Sequence, residues 1–153
     1  LLYREVLTIE EVKNTFQQNK KFLIRYRYKM RLVKSLEDRL FELDKQMEQL
    51  NSPVITDMPG GGVPTTLNDR YERKEELNER INHVLVEARK IRHEITDVFD
   101  QLENAKQSRV LELYFIDDLS LESIAEQTNY SLRQINRLYS DGVNACKPPM
   151  TQE

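Results

Sequence analysis

Residues 131–137 read Ser-Leu-Arg-Gln-Ile-Asn-Arg. An arginine presents paired donors that match guanine O6 and N7, and a Gln or Asn presents the donor and acceptor that match adenine N7 and N6. Ser131 and Gln134 stand at S-x-x-Q spacing, a capping box that starts a helix. A helix begun there carries Ile135, Leu138 and Tyr139 on one side. Arg133, Gln134, Asn136 and Arg137 lie on or near the other. Its first turn would present Arg133 and Gln134 to a groove.

The segment before it has the parts needed to hold such a helix. Val110, Leu111, Tyr114 and Phe115 make an apolar helix face, and Asp117 and Asp118 form a turn. Ser120 caps a second helix, L-E-S-I-A-E-Q-T. Asn129 ends it, because Asn tolerates the left-handed backbone of a sharp exit. Ala125 is small where two helices must cross, and Ile124, Tyr130, Ile135 and Leu138 supply a shared core. This is the layout of a helix-turn-helix. A three-helix module with a merely solvated polar side would show the same spacing.

Charge complicates that reading. Residues 105–147 hold five basic side chains (Lys106, Arg109, Arg133, Arg137, Lys147) against six acidic ones. Phosphate neutralisation drives most protein–DNA affinity. The module alone should bind weakly, and help must come from dimerisation, a partner, or another part of the chain. Residues 20–34 offer such a part: Lys20, Lys21, Arg25, Arg27, Lys29, Arg31 and Lys34, with Tyr26 and Tyr28 interleaved and no acid among them. The patch of Lys20, Lys21, Arg25, Arg27, Arg31 and Lys34 reads as a solvated helix face, or as a surface for the DNA backbone or an acidic partner.

Two long helical tracts precede the module. The first spans residues 9–50, opened by a Thr8–Glu11 capping box. Its seam runs Phe22, Tyr26, Lys29, Val33, Leu36, Leu40, Leu43, Met47 and Leu50, interrupted by Lys29. The second spans 67–104, where Leu77, Ile81, Val84, Ala88, Ile91, Ile95, Val98 and Leu102 step by 4 and 3 without a miss. Residues 51–66 carry Pro53, Pro59, Gly60, Gly61, Gly62 and Pro64, and read as a connector that lets the tracts fold back. The G-x-x-x-x-G-K-[ST] order of a phosphate loop is missing there. The expected organisation is a long helix with the basic patch (1–50), connector (51–66), second heptad helix (67–104), helix-turn-helix (105–147) and tail (148–153). The expected fold is all-α: a long antiparallel helical hairpin, coiled-coil-like, followed by a helix-turn-helix. The unbroken seam also predicts self-association as a dimer, although an intramolecular hairpin would bury the same stripe.

Composition narrows the classes. The chain has 153 residues, net charge −3, 39% hydrophobic and 32% charged side chains. A uniformly basic nucleic-acid coat is excluded. No apolar run approaches the roughly 20 residues of a membrane span, and no n-region, h-region and cleavage site open the sequence, so a soluble intracellular protein is expected. The first residue is Leu, which reads as a trimmed start. A single cysteine, Cys146, fits a reducing cytosol. His83 and His93 lack further ligands at metal spacing, so no metal or cofactor is expected. No nucleophile–base pair or paired carboxylate points to an enzyme.

The stretch 109–142, R-V-L-E-L-Y-F-I-D-D-L-S-L-E-S-I-A-E-Q-T-N-Y-S-L-R-Q-I-N-R-L-Y-S-D-G, resembles region four of bacterial sigma factors. L-S-L-E-S-I-A-E and S-L-R-Q-I-N-R-L are its specific parts. The whole chain is similar to sigma-like regulators encoded by phages and prophages of Gram-positive bacteria, of the ArpU/RinA late-regulator type. The resemblance implies sequence-specific binding of double-stranded DNA in the bacterial cytoplasm, to support phage gene transcription with host RNA polymerase. It implies that Arg133, Gln134 and Arg137 face bases and that Ser131 sits near a phosphate. The other sigma regions are not evident, which favours an activator over an autonomous sigma factor. A coiled-coil adaptor whose terminal module docks a protein is the main alternative. A small terminase subunit fits less well, because those place the helix-turn-helix before the coiled coil.

Overall fold

The computed structural model describes the backbone of residues 9–51 and 64–149 and the side chains of 9–50 and 67–149. The described chain is all-α: α1 (Ile9–Leu23), α2 (Arg25–Asn51), α3 (Pro64–Asp100), α4 (Ala105–Phe115), α5 (Leu121–Thr128) and α6 (Leu132–Ala145). It divides into two compact units. One joins the described residues up to Tyr28 with those from Arg89 onward; the other is Lys29–Ala88.

The Lys29–Ala88 unit is an antiparallel hairpin of α2 and α3. Lys29 pairs with Glu87 at 2.8 Å and Asp44 with Lys74 at 2.9 Å, so the partners run in opposite order. Between them Val33 and Leu36 pack on Ile81 and Val84, with Leu32, Leu40, Leu77 and Leu85 at the edges. The 4–3 spacing brings these side chains onto one stripe of each helix. Lys29, which breaks the apolar seam, is answered by Glu87. That hydrogen bond and the Lys29 charge hold the Glu87 carboxyl below its usual range. Leu50 at the end of the α2 seam is exposed.

The other unit has a thicker core. Leu23, Ile95, Leu111, Phe115, Ile124, Ile135 and Val143 are fully buried in one cluster. They come from α1, α3, α4, α5 and α6, and α6 packs against α1, α4 and α5.

Several boundaries differ from the sequence expectation. The tract expected to run unbroken from 9 to 50 turns at Ile24. There the Arg25 side chain donates from Nε to the Phe22 carbonyl at 3.0 Å, a group that would otherwise accept from the backbone. The buried phase also lies one residue further on. Leu23 is fully buried, whereas Phe22, expected on the seam, is partly buried beneath the Arg25 guanidinium at 4.2 Å. The second tract begins at Pro64 rather than 67, since Pro at a first helical position gives up no needed N–H. It stops at Asp100, short of 104, because Gln101 and Leu102 bond back to Val98 and Phe99 and Asn104 caps α4. Likewise α2 reaches Asn51. The capping box at Thr8, the connector residues Pro53, Pro59, Gly60, Gly61 and Gly62, and the tail beyond Pro149 lie outside the described residues.

Candidate nucleic-acid interface

α5 and α6 are joined by a short turn whose conformation follows from its residues. Asn129 has φ 59° and ψ 22°, the left-handed region that Asn adopts more readily than most residues. Ser131 returns to extended backbone and caps α6. The reciprocal box is complete: the Ser131 hydroxyl accepts from the Gln134 N–H at 3.2 Å, and the Gln134 side-chain oxygen accepts from the Ser131 N–H at 3.1 Å. Upstream, Asp118 also takes positive φ, 59°, closing the exit of α4. Ser120 then caps α5 by accepting from the Ser123 N–H at 3.2 Å.

α6 has two distinct sides. Ile135, Tyr139, Gly142 and Val143 are buried. Arg133, Gln134, Asn136 and Arg137 are all exposed, as is Ser131. The five residues singled out from sequence thus come together on one cap and the first turns of one helix. Arg133 and Arg137 form no ion pair among the described residues, so their full donor sets face solvent. Lys106 instead lies 5.8 Å from the centre of the Tyr130 ring, and Arg109 reaches Glu112 at 3.8 Å.

The basic patch is not wholly free for a partner. Lys20, Lys21, Arg25 and Arg27 belong to the unit that holds α6; Arg31 and Lys34 belong to the hairpin unit and are exposed there. Arg25 pairs with Glu94 at 2.9 Å. Arg27 pairs with Asp118 through Nε and lies 4.7 Å from the centre of the Tyr114 ring, its side chain only 13% exposed. Two of the six cations therefore hold helices together. Lys21 is exposed and Lys20 half-buried.

Sequence reasoning did not reach the residues that fix the far end of α6. Asn19 on α1 is 6% exposed, and its amide donates to the carbonyls of Val143 at 2.8 Å and Cys146 at 2.9 Å. Carbonyls at a helix C-terminus have no partner within the helix, so this side chain caps α6 from another element. Phe16, three residues earlier, meets Tyr139 edge-on at 6.1 Å. The sequence did carry a signal: Asn19 is a polar residue in helical phase with Phe16 and Leu23. Gly142 is a second such residue. A Cβ there would come within 3.1 Å of Leu111 Cδ1 and 3.3 Å of Gln107 Cβ, so glycine permits the α4–α6 crossing. Cys146 follows α6, and burial pushes its thiol up to about 11. No helix among the described residues is long and apolar enough to cross a membrane.

Residues 86–144 match the model of a family described as "Putative helix-turn-helix protein, YlxM / p13 like". That span covers the end of α3 and all of α4, α5 and α6 up to Asn144, and leaves α1 outside. No curated protein and no solved structure matches the chain.

Proposed function

We propose that the chain is a sequence-specific DNA-binding transcription regulator whose α6 enters the major groove of double-stranded DNA. One observation carries this reading. A capped helix, held at both ends, exposes Arg133, Asn136 and Arg137 with no intramolecular partner while its other side is buried. Two-ended fixation gives the base-reading side chains a rigid platform. The match to a helix-turn-helix family over 86–144 supports the same reading. Arg133 and Arg137 are read as guanine contacts, and Ser131 as a residue near a phosphate.

The resemblance to phage-encoded regulators of the ArpU/RinA type supports a finer reading: control of phage or prophage genes in the bacterial cytoplasm, together with host RNA polymerase. Acidic residues limit what the module does alone, because Glu122, Glu126 and Asp141 are exposed beside the basic ones. A second DNA contact or a protein partner is therefore part of the proposal, with the exposed Lys147 just past α6 and Lys21 on α1 among the cations that the same unit leaves free for it. Self-association remains part of it too, through a surface other than Ile81, Val84 and Ala88, which are buried within a single chain. A sedimentation mass that stays monomeric at all concentrations contradicts that element.

The test is fluorescence anisotropy of the full chain against duplexes selected from a random pool, at two salt concentrations. Selective binding that weakens with salt is expected. Equal binding to every duplex, or none at low salt, contradicts DNA reading and favours a protein-docking role for the module.

A further inference from the structure

Gln134 and Asn136 both carry the carboxamide that can pair with adenine, and sequence alone does not separate them. Their hydrogen bonds do. Adenine readout uses the amide oxygen to accept from N6 and the amide nitrogen to donate to N7. The Gln134 oxygen already accepts from the Ser131 N–H at 3.1 Å and lies 3.3 Å from the Ser131 hydroxyl. Turning it toward a base would open the reciprocal cap and strand a backbone N–H at the start of α6. Asn136 is exposed, and its side chain has no hydrogen bond among the described residues. Donor and acceptor are both available.

The position of Asn136 is as telling as its freedom. It lies three residues after Arg133 and one before Arg137, within one face of the helix. From Arg133 to Arg137 the helix rises about 6 Å. Along one DNA strand that is about two base steps of 3.4 Å. Around the helix axis Asn136 stands about 60° to one side of Arg133 and Arg137 about 40° to the other, so a single carboxamide flanks two guanidinium groups that suit guanine.

Resting on the reading that α6 enters the major groove, we propose that Asn136 is the adenine-reading residue and that Gln134 is a positioning residue which sets the start of α6. The target then contains an adenine within about two base steps of a guanine.

The test uses the full chain and its selected duplex. Wild type should discriminate against replacement of the key adenine by about 5- to 150-fold, the range of one good bidentate contact. Asn136→Ala should erase that discrimination and leave the helical circular dichroism unchanged. Gln134→Glu keeps an S-x-x-E capping box. It should weaken all duplexes alike through its added charge and preserve the adenine preference. Gln134→Ala, which cannot close the box, should lower thermal stability where Gln134→Glu does not. Adenine preference that survives in Asn136→Ala but is lost or moved to cytosine in Gln134→Glu overturns the assignment. A selected site without adenine preference also overturns it, while leaving DNA reading intact. Wild-type binding that is equal on every duplex overturns both the assignment and the function on which it rests, so the two failures are told apart.

Discussion

The two compact units are built from the same kind of helix and hold together in different ways. In the Lys29–Ala88 hairpin, one aliphatic stripe meets another, and charged pairs such as Lys29–Glu87 and Asp44–Lys74 flank it. In the unit that carries α6, side chains from five helices share one core, and polar groups are tied across long sequence distances. A two-helix seam has only one layer of contacts and can relax around a defect. A multi-helix core cannot, which suits a helix that must hold its side chains still.

The largest effects should break that contrast open. Phe115 is fully buried at the centre of the α6 unit, and Phe115→Ala should cost about 3–5 kcal/mol. Leu36, 1% exposed in the hairpin, should cost about 2–5 kcal/mol as Leu36→Ala, toward the lower end because the seam can close up. Urea denaturation gives the sizes, and amide hydrogen exchange gives the place. Lost protection should be concentrated in α4, α5 and α6 for the first and within 29–88 for the second. Identical exchange patterns would mean that the two units do not differ as described.

A middle-sized effect sharpens the contrast. Asn19→Ala removes the side-chain donor to both carbonyls, leaving Val143 only the shared Cys146 N–H at 3.3 Å, and should destabilise by about 1–3 kcal/mol. Asn19→Asp should be no better, since a carboxylate cannot donate to either carbonyl. Exchange should quicken first at Val143–Cys146. Unchanged protection there would remove α1 from the support of α6.

The smallest effect belongs to the hairpin rim. Lys29 holds the Glu87 carboxyl low, so the pair stabilises above the ordinary carboxylate range and is lost as pH falls through the lowered Glu87 value. Lys29→Ala should therefore be less stable than wild type at neutral pH, by a margin that salt reduces. The two should converge in acid. A gap that persists at low pH would point to lost packing of the lysine stem instead.

What was legible in the sequence was local. The capping box at Ser131–Gln134, the Ser120 cap and the left-handed Asn129 are each set by residues within a few positions of one another. The seam from Leu77 to Val98 repeats often enough for phase alone to reveal it, and Ile81, Val84, Ala88, Ile95 and Val98 are buried. The rest depends on partners that spacing does not encode. Asn19 is 124 residues from Val143, and Arg27 is 91 from Asp118. A run of cations between 20 and 34 looks like one surface, yet Arg25 and Arg27 are drawn into packing by Glu94, Tyr114 and Asp118. The turn at Ile24 was hidden for the same reason: no Gly or Pro marks it, and the Arg25 side chain stands in for a backbone donor.

The most direct measurement compares wild type with an Arg133→Ala, Arg137→Ala double variant on a selected duplex and a scrambled one, with thermal unfolding recorded on the same samples. Both arginines are exposed and unpaired, so the unfolding curve should not move. Preference for the selected duplex should vanish, because two base contacts worth about 1–3 kcal/mol each are gone. Full selectivity retained by the double variant would contradict the claim that α6 reads DNA.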